Sequence, residues 1–211
     1  MNVQARKRVA NATVRTYKGE GCGIFVGHGL ILTAGHCTDF TAEGNLVLGS
    51  HHFEVIQTIS GKLIHAGIWA VEPVADIAAL GSLDNQTFTQ EADEFEQFCE
   101  ATDPVPISSG ETPWGQPCTV HIFTHTGDWL KGMATVWGEG STASLALETE
   151  SPIMGGKSGS GVFNDAGELV GIVSWSTEGE TTGGTARPLM ALPTWLCRRL
   201  LEGEKLRSIT P

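Results

Sequence analysis

The chain reads as an all-β protein in two parts that ends in a short helix, and three observations predict this. Its 211 residues include 27 glycines scattered among many short apolar segments, the pattern of strands joined by tight turns. No sustained helical periodicity appears before the C-terminus. A hydrophobic content of 40% over this length supplies one two-part globular unit with a sizeable core and argues against disorder.

In chain order, the strand candidates of the first half are "TVRTY", "GIFVG", "LILTA", "NLVLG", "HFEVIQTI" and "DIAAL". The run that starts at Gly29 is apolar and β-branched, and it carries His36 to a strand end, where loops present chemistry. "TQEADEFEQFCEATDPVP" then changes character: acid-rich and closed by prolines, it reads as a solvated connector with at most one helical turn. The boundary is placed there, giving units 1–98 and 99–211. Strands resume at "CTVHIFTHT", "GMATVWG", "SLALETE", "SGVFN" and "ELVGIVSW", separated by glycine-containing turns. The segment "PTWLCRRLLEGEKL" places Trp195, Leu196, Leu200 and Leu201 at helical spacing behind Thr194 as N-cap, and predicts a helix packed on the second half. A faint echo links the halves: Gly21-x-Gly23-Ile24-Phe25-x3-Gly29 and Gly159-x-Gly161-Val162-Phe163-x3-Gly167. It reads either as coincidence in a glycine-rich chain or as two related β-units.

Thirteen basic against 24 acidic side chains give a formal charge of −11, which repels phosphate backbones and anionic lipid surfaces. Neither nucleic acid nor membrane is expected as a partner, and no stretch is long enough to span a bilayer. The start, "MNVQARKRVANATVR", is basic but lacks the apolar core of a secretory signal, so a cytoplasmic location is expected. The five cysteines, at positions 22, 37, 99, 118 and 197, form neither a CxxC pair nor a metal-binding cluster. Free thiols are the default in a reducing compartment, although Cys22 and Cys37 are placed to bridge the ends of the strand that carries His36. His121 and His125 in "HIFTHT" share a strand face without a third ligand, and His51-His52 reads as a solvated turn. No metal or organic cofactor is expected.

The sharpest stretch is "SPIMGGKSGSGVFNDAGELVGIVSW". Glycines around Ser158 permit positive φ and let a substrate carbonyl approach backbone N–H groups closely, although such a string also suits a flexible loop. A serine hydroxyl is a poor nucleophile until a histidine takes its proton, and that histidine needs a carboxylate to fix its tautomer. His36 is the candidate base. Asp76, just ahead of the apolar run "IAAL", is the candidate carboxylate, with an ordinary turn residue as the alternative.

In the order His, Asp, Ser, the motifs "TAGHC", "DIAAL" and "GKSGSG" resemble the trypsin/chymotrypsin clan of serine endopeptidases over roughly residues 20–185, within it the bacterial HtrA-like and glutamyl-endopeptidase-like branches. The resemblance implies two six-stranded antiparallel β-barrels, with His36 and Asp76 on the first and Ser158 on the second. It implies Ser158 as nucleophile, His36 as general base and then acid, and Asp76 as orienting carboxylate, with backbone N–H groups of Gly156 and Ser158 as the oxyanion hole. Residues Ser174, Trp175 and Ser176 of "GIVSWS" match the strand that pairs with extended substrate. Pro152, Ile153, Val173, Trp175 and Gly184 are then expected to line an uncharged pocket that selects a small or aliphatic residue before the cut. Glu178 and Glu180 near its rim make a basic preference the runner-up.

Two departures from the pattern matter. Lys157 stands where trypsin-like zymogens have the aspartate that receives a freed N-terminus, so activation through that ion pair is not expected. Pro152 stands where trypsin has the aspartate that binds Arg or Lys. With no PDZ-sized stretch after the second half in this sequence, HtrA-style peptide-docking regulation is not expected. The expected partner is a protein or peptide substrate. A protease dedicated to one partner protein, in viral processing or bacterial defence, is one alternative, and a catalytically silent double-barrel peptide-binding module is another.

Overall fold

The computed structural model describes residues 1–16, 20–38, 53–108, 116–137, 144–176 and 180–207, with side chains of the last helix described to Leu201. Strands β1 (Thr13–Thr16), β2 (Cys22–Gly27), β3 (Leu30–Ala34), β4 (Phe53–Thr58), β5 (Leu63–Glu72) and β6 (Ile77–Gly81) close a barrel in the order β1-β2-β3-β6-β5-β4. Strands β7 (Cys118–Phe123), β8 (Trp129–Trp137), β9 (Ser144–Thr149), β10 (Gly161–Phe163), β11 (Leu169–Ser176) and β12 (Thr182–Ala186) close a second in the order β10-β11-β12-β9-β8-β7. Every strand pairing is antiparallel, and the result is the chymotrypsin-like double barrel that the sequence predicts.

Alternating side chains fill the second barrel: Val120, Ile122, Ala134, Val136, Leu145 and Leu147 pack together. Strands β2, β3 and β6 are buried along their whole length, because each has one face in the barrel and the other under a neighbouring element. That double burial explains why they read as continuous apolar runs rather than alternating ones. The strand candidate "NLVLG", the turn His51-His52 and Glu178 lie outside the described residues.

Two strands escape the sequence reading. β5 is interrupted by His65, Gly67 and Trp69, which blur its period, and β12 is the weak β-former "TGGTA". The β12 glycines are needed for space. A Cβ built on Gly183 lies 3.1 Å from Ile153 Cδ1, and one built on Gly184 meets the indole of Trp175.

The connector is a correction. Rather than a solvated segment with one turn, residues Thr89–Ala101 form a 13-residue helix, α2 once the N-terminal helix Val3–Ala12 is numbered α1. Ala92, Phe95 and Phe98 of α2 are buried, and Phe98 meets Phe25 edge-on at 5.5 Å. The acidic residues on the other face hid this apolar stripe. Helix α1 starts at the cap Asn2, whose Oδ1 accepts from Ala5 N–H at 2.8 Å, and buries Ala5, Val9 and Ala12. Arg6 lies 5.0 Å over the ring of Trp129, so α1 joins the first barrel to the second.

A short helix α3 (Pro188–Ala191) precedes the C-terminal helix α4 (Thr194–Arg207). Contrary to expectation, α4 crosses back to the first barrel. Arg199 Nε donates to the His28 carbonyl at 3.2 Å, and the guanidinium lies 4.9 Å over Trp69. Amphipathic spacing reveals which face of a helix is buried but not which barrel receives it. The glycine echo falls on β2, second strand of its barrel, and on β10, fourth of its own, so it does not follow barrel-to-barrel correspondence. What the segments share is a hairpin turn with a glycine at positive φ, Gly29 at 68° and Gly167 at 81°.

Candidate active site

Strand β3 leads into a 3-10 turn, Gly35–Cys37, that leaves His36 half exposed at the barrel rim. Because Ala34 pairs with Ile77 across β3 and β6, the residues just beyond the pair, His36 and Asp76, come together. Asp76 has φ 57°, a left-handed conformation that aspartate tolerates better than most residues. Its Oδ1 accepts the His36 backbone N–H at 2.8 Å, and its Oδ2 lies 2.7 Å from His36 Nδ1. A carboxylate so placed holds the ring proton on Nδ1 and leaves Nε2 with a free lone pair. A third bond crosses the barrels: Ser174 Oγ donates to Asp76 Oδ2 at 2.8 Å. The sequence reading gave Ser174 only a main-chain role; its one signal was a hydroxyl inside an otherwise apolar strand.

The turn that carries Ser158 is held by its backbone. Cys22 N–H of β2 donates to the Ser158 carbonyl at 2.7 Å, and Gly159 N–H donates to the Val173 carbonyl of β11 at 2.7 Å. Positive φ at Gly156 (79°) and Gly159 (78°) makes this path. A Cβ at Gly159 would run into the Cys22 carbonyl. Among the described residues, the N–H groups of Gly156 and Ser158 donate to no protein acceptor, and no hydrogen bond joins Ser158 to His36. Ser160, two residues on, is fully buried, which removes it as an alternative nucleophile.

The residues expected around the specificity pocket are distributed unevenly. Ile153 is buried, its carbonyl accepts from Ser176 Oγ at 3.1 Å, and its side chain approaches Gly183. Trp175, 56% exposed, lies across Gly184. Val173 points into the core of the second barrel. Pro152 offers its carbonyl to Lys157 Nζ at 3.3 Å, which closes the nucleophile turn on itself with a cation at its base. The Glu180 carboxylate accepts from Thr182.

His121 and His125 diverge. His121 Nε2 lies 2.8 Å from Asp165, whereas His125 Nδ1 lies 3.4 Å from Cys22 Sγ behind the nucleophile turn. Burial pushes the His125 pKa down, and the positive charge of Arg15 adds to this. Cys22 and Cys37 are buried free thiols. Burial first, and then the Asp76 charge, pushes Cys37 up to about 12, so it is no nucleophile despite following His36 in sequence.

A double barrel that carries a histidine–carboxylate pair on one half and a glycine-held serine on the other defines a chymotrypsin-like protein. Residues 21–172 match the trypsin-like peptidase domain family, and the chain belongs to that family. Among solved structures, the serine endoprotease from Yersinia pestis is 21% identical with a TM-score of 0.61, the likeness covering 95% of this chain and 66% of that one. A human pathogenic astrovirus serine protease is 19% identical with a TM-score of 0.56, covering 87% of this chain and 94% of that one. A protease of M. tuberculosis in an inactive form is 13% identical with a TM-score of 0.57, covering 89% of each chain. No curated protein matches the chain. No helix among the described residues is long and apolar enough to cross a membrane.

Proposed function

We propose that Ser158, His36 and Asp76 act as a catalytic triad that cleaves peptide bonds through an acyl-enzyme. The observation that carries this reading is the Asp76 carboxylate, bound at once by His36 N–H, His36 Nδ1 and Ser174 Oγ. Ser158 Oγ attacks the substrate carbonyl while His36 Nε2 takes its proton, and Asp76 stabilises the imidazolium. The oxyanion is held by the N–H groups of Gly156 and Ser158. Collapse breaks the C–N bond, with the His36 proton passing to the leaving amine, and water then attacks the ester by the reverse proton path.

Strand β10 ends its pairing with β11 opposite Ile172, so Ser174, Trp175 and Ser176 keep a free edge on that side. An extended substrate adds there as a strand. Ile153 and Trp175, with Pro152 and Gly184 beside them, suit a small or aliphatic residue before the cut, which gains about 1.5 to 3 kcal/mol on burial. The Lys157 cation at the Pro152 carbonyl disfavours Arg or Lys there. Five free thiols support a reducing, cytoplasmic setting. A substrate that is a protein, including one dedicated partner of a viral processing or bacterial defence system, fits the same cleft.

The lack of a Ser158–His36 hydrogen bond favours a second reading, a silent peptide-binding double barrel. A fluorophosphonate decides between them. Labelling confined to Ser158 and lost in Ser158→Ala, with turnover falling about 10⁴-fold or more, supports the triad. An unlabelled, folded protein supports the silent module.

A further inference from the structure

Beside the nucleophile turn, on the side away from β11, lies a cavity of about 180 Å³ whose lining includes Val14, Arg15, Gln57, Phe123 and His125. Its position follows from the sheet. Arg15 pairs across the first barrel with Cys22, whose N–H holds the Ser158 carbonyl. Arg15 therefore sits one strand spacing, about 4.8 Å, from the chain that anchors the candidate nucleophile. His125 closes the other end: a Cβ built on Gly156 would lie 3.2 Å from His125 Cε1. The turn of Ser158 is thus clamped between β2 and β11. With the acyl part of a substrate on the free edge of β11, the opposite side of the turn is left for the leaving part, and β2 with its neighbour Arg15 lies there.

Arg15 is the one formally charged side chain in the lining of this cavity. Within β1, Thr13, Val14 and Thr16 are buried and Arg15 alone is exposed. No carboxylate among the described residues lines the cavity or pairs with Arg15. In a chain of formal charge −11, an uncompensated guanidinium at the mouth of a cleft attracts a carboxylate and orients it through its planar fork. His125 is kept neutral by burial and by the nearby Arg15 charge, while burial pushes the Cys22 thiol up and keeps it protonated. The Cys22 thiol lies 3.4 Å from Nδ1 and 3.8 Å from the Gly156 carbonyl, and a neutral imidazole keeps one ring N–H to donate.

We propose that this cavity binds an acidic side chain in the first residues after the scissile bond, with Arg15 as its charged partner and His125 as a neutral donor. The proposal rests on the protease reading for its place on the leaving side, and the test separates the two. A peptide library profiled on both sides of the cut is expected to show Asp and Glu enriched about 5-fold to 10-fold after it, the enrichment lost in Arg15→Gln and partly kept in Arg15→Lys. Since Arg15 is exposed, Arg15→Gln removes no core contact. Cleavage with the same profile in both proteins would overturn the proposal while leaving the triad standing. If nothing is cleaved, the protease reading fails and fluorescence anisotropy with dye-labelled tetraglutamate decides the cavity. Binding that weakens several-fold in Arg15→Gln supports an acidic-peptide site, and equal binding sinks it.

Discussion

Gly159→Ala and Gly127→Ala make the same chemical change at the same kind of backbone, yet the structure predicts very different outcomes. Both glycines have positive φ, 78° and 87°, so each alanine bears the left-handed penalty of about 1–2 kcal/mol. Around Gly127 a new Cβ meets no atom within 4 Å. At Gly159 it runs into the Cys22 carbonyl and comes within 2.6 Å of Thr33 Oγ1, which donates to that same carbonyl. A backbone oxygen in a sheet cannot rotate aside, so overpacking adds about 1–3 kcal/mol. Displacing the turn also weakens the bonds from Gly159 to Val173 and from Cys22 to Ser158, at about 1 kcal/mol each. For a chain of this size 1 kcal/mol moves Tm by about 2–4 °C. Thermal unfolding followed by circular dichroism should therefore show a loss of about 2–8 °C for Gly127→Ala. For Gly159→Ala the loss should be about 8–28 °C, with fluorophosphonate labelling slowed even well below its Tm. Equal losses in the two variants would refute the claim that the nucleophile turn is wedged against β2.

Other perturbations test single bonds. Ser174→Ala removes one of the bonds to Asp76 and should lower kcat about 10-fold with little change in KM, whereas Asp76→Asn should cost about 10⁴-fold; a Ser174→Ala enzyme as active as the parent would leave that bond without a positioning role. Activity should survive strong dithiothreitol, and thiol titration of the denatured chain should count all five cysteines as free; inactivation together with the mass change of one bridge would contradict the free-thiol state. The Asp165 carboxyl is held below its ordinary value of 3.8, chiefly by the hydrogen bond with His121. A depressed carboxyl stabilises the fold above its unfolded pKa and loses that contribution as pH falls through its folded pKa, so Asp165→Asn should lower Tm at pH 7, with the gap closing as pH falls below the ordinary carboxyl range. A gap that persists in acid would remove the ion pair as its cause.

Much of the double barrel was legible because β2, β3 and β6 are buried on both faces and carry unbroken apolar runs, while glycines mark their ends. The candidate site was legible for a different reason. His36, Asp76 and Ser158 each stand in a turn that an ordinary structural role would also explain, so it was their order along the chain, with the motifs around them, that pointed to a site. What stayed hidden depended on three-dimensional neighbours. The apolar stripe Ala92, Phe95 and Phe98 was outweighed in sequence by the acids around it, and β12 looks like a loop until Trp175 and Ile153 are seen to need its glycines. The connection of α4 to the first barrel depends on His28 offering its carbonyl from a left-handed turn, φ 54°, which no periodicity encodes.

Neither barrel holds the whole candidate site. The first brings His36 and Asp76, but the carboxylate takes its third bond from Ser174 of the second. The second brings Ser158, but the carbonyl of that residue is fixed by Cys22 of the first. These two bonds run in opposite senses across the cleft, one donor from each barrel, so any shift of one barrel against the other strains both. A buried hydrogen bond contributes about 1 kcal/mol to stability, far less than the rate effect of misplacing a nucleophile by 1 Å, which reaches about 100-fold. The interbarrel bonds therefore matter more to rate than to stability. Substitutions that loosen the docking of the barrels, at the Arg6–Trp129 contact for instance, should lower kcat well before they lower Tm by a measurable amount.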